Sequence, residues 1–138
     1  MYRIVYVSAA VGSPTRADLL ALLAKAREKN HRLGITGLLL YKDGDFIQLL
    51  EGDRPAVRAV FDAIKADPRH SGVIELLEGE AHGRLFADWS MGFRDLSDPD
   101  VRAMPGYSPY MNTPLVAESF GPDPSGCLEL LSLFKPPV

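Results

Sequence analysis

Residues 34–52 read GITGLLLYKDGDFIQLLEG. Two apolar runs, Ile35–Tyr41 and Asp45–Glu51, flank Asp43-Gly44. An Asp-Gly pair between such runs is the signature of a tight hairpin turn. The stretch therefore predicts two antiparallel strands. In the second of them Phe46, Gln48 and Leu50 share one face, which puts an amide where the pattern asks for an apolar side chain.

Toward the N terminus, Gly34 closes a helix that opens at Ser13-Pro14-Thr15, with Thr15 and Asp18 at capping-box spacing. Leu19, Leu23, Ala26 and Asn30 recur at helical spacing, an inward stripe whose last member is polar. Before the helix, Tyr2–Ser8 (YRIVYVS) reads as a strand with Tyr2, Ile4, Tyr6 and Ser8 on one face. Toward the C terminus, Pro55 marks a second helix start, Val57, Val60, Phe61 and Ile64 form its apolar stripe, and Pro68 ends it. Val73–Leu77 and Leu85–Met91 read as two further strands. The order β-α-β-β-α-β-β predicts an α/β (α+β) ferredoxin-like sandwich: a five-stranded sheet, both helices on one face, and a ligand cavity between the helices.

Beyond Asp95 the composition changes, with eight of the 11 prolines and helical periodicity only over Ser125–Lys135. The expected division is a domain over residues 1–94 and a Pro-rich appendage over 95–138, whose short helix covers the free face of the sheet.

Composition narrows the function. A formal charge of -3 argues against a nucleic-acid surface. No apolar run approaches the ~20 residues of a membrane span, and with the first strand beginning at Tyr2 no leader is expected. Cys127 is the only cysteine, so neither an internal disulfide nor a cysteine zinc site is possible. A cytoplasmic location is expected. His31, His70 and His82 lack ligand spacing, Pro68 breaks the alignment of Asp67 with His70, and no phosphate loop or nucleophile elbow is visible. The chain is read as neither an enzyme nor a metal protein.

Its informative feature is polar residues in apolar patterns: Tyr6 beside Ile4, Asn30 at the end of a stripe, and Gln48 between Phe46 and Leu50. Any one of them reads as a satisfied core polar group. Three that converge on one cavity offer donors and acceptors to the edge of a planar heterocycle.

At these residues the chain resembles the BLUF family, the flavin-dependent blue-light sensors. The resemblance runs from Tyr2 to about Phe93, through YRIVYVS, REKNHRLGITGLLLY, FIQLLEG, DPRH and FADWSMGF, all in the family's order. It implies non-covalent FAD with its ring between the two helices. It also implies roles: Tyr6 as the electron and proton donor, Gln48 as the amide that rearranges at the flavin N5/C4=O edge, and Asn30 as holder of the carbonyl edge. Arg69 and His70 match a basic pair near the pyrimidine or ribityl side, and Trp89 and Met91 match the residues that relay the signal. Read without the family, Trp89 and Met91 are more often core or interface residues than switches, and Arg69 and His70 could simply serve the negative end of a helix. Ala26 and Lys29 depart from the family pattern, which carries a serine and a neutral asparagine or histidine there.

The resemblance further implies a short receptor without its own output module, assembled as a homo-oligomer (dimer or larger ring) and signalling to a separate response protein. The alternatives are a cofactor-free interaction domain that has lost light sensing and, with less support, a small acylphosphatase-like enzyme.

Overall fold

In the computed structural model, residues 1–12, 14–87 and 91–95 are described. The elements in order are β1 (Tyr2–Ala10), α1 (Arg16–Leu33), β2 (Thr36–Lys42), β3 (Asp45–Gly52), α2 (Arg54–Ala66), β4 (His70–Glu80) and β5 (Gly92–Asp95). They form one five-stranded sheet of order β4-β1-β3-β2-β5. β3 lies between β1 and β2 and runs antiparallel to both, whereas β5 joins β2 in parallel. The ferredoxin-like arrangement read from the sequence is the one observed.

Local chemistry explains the element ends. Thr15 caps α1 reciprocally: Asp18 N–H donates to Thr15 Oγ1 at 3.1 Å, and Thr15 N–H donates to Asp18 Oδ2 at 2.9 Å. Gly34 ends the helix at φ 68°, and Ile35 N–H returns to the Asn30 carbonyl at 2.8 Å. The hairpin turn has both central residues at positive φ, Asp43 at 51° and Gly44 at 89°, as its dipeptide requires.

Both helices pack on one face. Leu19 and Leu23 of α1 and Val57, Val60 and Phe61 of α2 meet Tyr2, Ile4, Tyr6, Phe46 and Leu50 of the sheet in a single core. Each large apolar side chain buried there contributes roughly 1.5–3 kcal/mol. The opposite face carries Val5, Val7, Leu38, Leu40, Ile47 and Leu49, all buried, together with the carboxylate of Glu51. The appendage expected over 95–138 falls almost wholly outside the described residues.

Two strands differ from expectation. β4 is longer than Val73–Leu77 at both ends. The fifth strand is not Leu85–Met91 but the following four residues, Gly92–Asp95, paired with Leu38–Tyr41. The reason is Glu51. Its buried carboxylate accepts from Phe86 N–H at 2.7 Å, Leu85 N–H at 2.8 Å and Thr36 Oγ1–H at 2.9 Å. Arg84 adds bonds to Thr36 Oγ1 (2.8 Å) and to the Gly34 carbonyl (2.7 Å). Backbone donors held by a carboxylate are not available to a ladder, so the chain passes under the sheet at Phe86 before it pairs.

Gly37 of β2 lies against the backbone of β3: a Cβ there would stand 1.9 Å from the Leu49 carbonyl oxygen and 3.4 Å from Met91 Cε. Backbone cannot yield to such a contact as a side chain tip can. Gly37→Ala is therefore expected to cost more than about 2 kcal/mol. Urea denaturation should show it, whereas Gly83→Ala, where a Cβ meets nothing within 4 Å, should leave the midpoint nearly unchanged.

Candidate functional site

The cavity lies between the two helices and the helix-side face of the sheet. On α1 the stripe that buries Leu19 and Leu23 continues through Ala26 to the buried Asn30. Beside it lies a cavity of about 170 Å³. Tyr6, Gln48 and Leu39 line it from the sheet, Leu23, Ala26, Lys29 and Asn30 from α1, and Val60, Ala63 and Ile64 from α2. Asp67, Arg69 and His70 close its rim from the α2–β4 turn. A second space of about 430 Å³ adjoins it and shares Leu22, Lys25, Arg69 and His70.

The strand register brings the first two polar residues together. Tyr6 on β1 is the cross-strand partner of Gln48 on β3, and the Tyr6 hydroxyl donates to Gln48 Oε1. The other end of the amide, Nε2, donates to Met91 Sδ at 3.2 Å. Tyr6 is 1% exposed and its ring tilts against Phe61 of α2, 5.4 Å between centroids. Burial, reinforced by the negative charge of Asp67, raises its phenol pKa well above the ordinary value of 10.0. The phenol therefore stays protonated at any physiological pH.

At the rim, α2 ends at Ala66, earlier than a basic pair at its end would require: Arg69 lies in the turn and His70 opens β4. Arg69 grips Asp67 through paired bonds of 3.0 and 2.6 Å. Those bonds hold the Asp67 carboxyl down at about 2. His70 Nδ1 lies 3.1 Å from Ser8 Oγ, and its ring stacks at a tilt on Phe46. Burial lowers the His70 pKa; Asp67 opposes the shift and Arg69 adds to it.

The structure thus gathers Tyr6, Asn30, Gln48, Arg69 and His70 around one cavity, with Met91 behind Gln48. Trp89 lies outside the described residues. Ala26 and Lys29, the two departures from the family pattern, both line the cavity. Sequence reading missed Ser8, the partner of His70, and Lys25, which is shared by both spaces and sits one helical turn before Lys29. It also missed Arg27, whose Nε donates to the Met91 carbonyl at 2.8 Å. The Lys25/Lys29 spacing was legible in the sequence; the Arg27 contact, across 64 residues, was not.

The donor set suits a flat, weakly polar heterocycle: apolar walls from both helices, an amide and a carboxamide on its edge, a phenol within relay distance, and cations at the mouth. Among the described residues no group of three His, Cys, Asp or Glu could hold a metal ion. No described helix is long and apolar enough to cross a membrane.

Comparison with known proteins agrees with this chemistry. The profile of the family described as BLUF, sensors of blue-light using FAD, matches residues 1–92. The photoactivated adenylate cyclase subunit beta of Euglena longa is 37% identical over 87 residues, 62% of this chain and 10% of that protein. The blue light- and temperature-regulated antirepressor BluF of Escherichia coli K12 is 37% identical over 75 residues, 54% of this chain and 19% of that protein. The chain thus spans about a tenth of the length of the cyclase relative it matches. The dark-state structure of the BLUF protein BlrB superposes with a TM-score of 0.81 at 29% identity, covering 97% of this chain and 94% of that one. A bacterial light-regulated adenylyl cyclase gives 0.67 at 34% identity, covering 71% of this chain and 28% of that one.

The His70 environment predicts a pH dependence. A histidine whose folded pKa is lowered binds its proton more readily when unfolded, so stability is full above the ordinary value of about 6.5 and falls as pH drops below it. Asp67 stays ionised throughout that window. Melting temperature should decline from pH 7 to pH 5 in the wild type, and His70→Asn should remove part of that decline.

Proposed function

The chain belongs to the BLUF family, the sensors of blue light using FAD, and from that premise we propose that Tyr6 and Gln48 form its photochemical switch. The observation that carries the proposal is the double tether of one buried amide, Tyr6 Oη–H to Gln48 Oε1 and Gln48 Nε2–H to Met91 Sδ, at the wall of the helix-flanked cavity. FAD bound non-covalently in this cavity would be held by residues of α1, α2 and the sheet, and would supply a strong oxidant on absorbing blue light.

Tyr6 is suited to give up an electron and a proton together, because its buried phenol cannot ionise beforehand. Its hydroxyl proton already points at Gln48 Oε1, so the amide is the natural path for that proton. A half-turn of the Gln48 side chain, or its tautomerisation, exchanges donor and acceptor at both ends. A turned amide would present Nε2–H toward Tyr6 and Oε1 toward Met91, and the thioether would lose its donor. Met91, and Trp89 two residues before it, would pass that loss outward. Asn30 would hold the carbonyl edge of the ring, and Arg69 and His70, with Lys25 and Lys29, would serve its ribityl and phosphate side. The two phosphates of FAD, against one in FMN, suit a mouth that carries Lys25 and Lys29.

We take residues 1–94 as the sensor and 95–138 as an appendage. The names of the relatives attach light sensing to cyclases and to an antirepressor. By analogy this domain acts as a sensor rather than a catalyst and passes its state to a separate response protein, as a homo-oligomer in the cytoplasm.

Purified protein should be yellow, release FAD on denaturation and shift its flavin absorption reversibly to the red under blue light. Colourless protein that resists reconstitution would favour a light-blind interaction domain. Tyr6→Phe and Gln48→Leu should both bind flavin and both lack the shift, the first for want of a donor and the second for want of an amide. Gln48→Leu also orphans the buried Tyr6 hydroxyl, which should cost about 1–3 kcal/mol. The double variant should therefore be less destabilised than the sum of the singles, as a denaturation cycle would read. A normal reversible shift in Gln48→Leu would defeat the proposal.

A further inference from the structure

We infer that Arg27 is a positioning residue of the switch: it clamps the Met91 segment to α1 and so sets how fast a displaced Gln48 side chain regains its dark hydrogen bonds. The inference rests on the reading of Gln48 as the switch.

Among the described residues, and besides its burial in the helix-side core and the pairing of the adjoining Gly92 with Leu38, Met91 is held by three contacts. Its Sδ accepts from Gln48 Nε2 at 3.2 Å, its methyl occupies the notch that Gly37 leaves in β2, and its carbonyl accepts from Arg27 Nε at 2.8 Å. The last bond is charge-assisted and is the one that ties the segment to a helix. Arg27 is not among the residues lining either space between the helices and the sheet, although Ala26 and Lys29 beside it are. Its removal therefore takes nothing from the ligand.

Only the sulfur contact depends on the orientation of the amide, because an amide oxygen cannot donate to a thioether. Once Gln48 has turned, Met91 keeps the notch, its core packing and the clamp, and of these the clamp is the polar bond that fixes its own backbone to α1. With the clamp closed, the sulfur stays where Nε2 must return to it. Without the clamp the segment relaxes, the returning amide finds no acceptor in place, and recovery slows. The same bond makes α1 the element that senses a displacement of Met91.

The test uses the full chain with its flavin. Arg27→Leu removes the donors and keeps an apolar stem, while Arg27→Lys keeps a cationic donor able to reach the carbonyl. After a blue pulse, dark recovery of absorption should be about tenfold slower in Arg27→Leu, equivalent to ~1.4 kcal/mol. It should return to within about threefold of wild type in Arg27→Lys, since the lost bond is one hydrogen bond to a charged group. In the dark, the ¹³C-methyl resonance of Met91 should move in Arg27→Leu and stay near its place in Arg27→Lys. Recovery of Arg27→Leu at the wild-type rate overturns the inference, as does equal slowing in both variants. Loss of flavin from Arg27→Leu overturns it as well, by making Arg27 a binding or folding residue. Should the unaltered protein show no red shift, the Gln48 reading fails separately. The clamp is then judged by the dark Met91 resonance alone, and an unmoved signal overturns it.

Discussion

A buried primary amide must be satisfied at both ends, and Gln48 is satisfied by two partners of very unequal strength. A phenol donates to its oxygen and a thioether accepts from its nitrogen. The first is a strong hydrogen bond and the second a weak one. The arrangement is ordered in one orientation, yet little is lost at the sulfur if the amide turns. Among the described residues no buried side-chain nitrogen or oxygen lacks a partner. The two partners of the amide are therefore unequal, and neither of its ends is unmet.

The surrounding fold serves this amide. The antiparallel register of β1 and β3 sets Tyr6 opposite Gln48, and Phe61 of α2 braces the phenol ring from above. Ala26 of α1 lines the slot that opens beside the pair. At its mouth the charges are partly matched: Arg69 is taken up by Asp67, while Lys25 and Lys29 stand on the face of α1 that lines the slot. An anionic arm leaving the slot would meet positive potential there.

The far face of the sheet does quieter work. Glu51 alternates with Ile47 and Leu49 and is only 1% exposed, a position no carboxylate occupies without partners. It finds them in two backbone amides and a hydroxyl, and in doing so holds the chain at Leu85–Phe86 against the far face of the sheet. Gly92–Asp95 then pairs beside β2, and Met91 just before it accepts from Gln48. Glu51 and Gln48 lie three residues apart on opposite faces of β3, so one strand both anchors the incoming segment and receives its methionine.

What the sequence by itself determined is whatever short-range chemistry writes. The Asp43-Gly44 turn, the Thr15–Asp18 capping box, the Gly34 stop and the two apolar helix stripes each lie within a few residues, and each was legible along with the fold they imply. The polar intrusions at Tyr6, Asn30 and Gln48 were legible for the same reason, since alternation along one strand or helix exposes them. The tertiary structure decided which polar group meets which. Tyr6 and Gln48 are 42 residues apart, Arg27 and the Met91 carbonyl 64, and Glu51 and Phe86 35. Nothing local distinguishes an arginine that clamps a distant carbonyl from one that is merely solvated. Nor does local pattern reveal that a buried carboxylate will claim the amides of Leu85 and Phe86 and delay the fifth strand to Gly92. Such pairings depend on sheet order and register, which exist only once the chain has closed on itself.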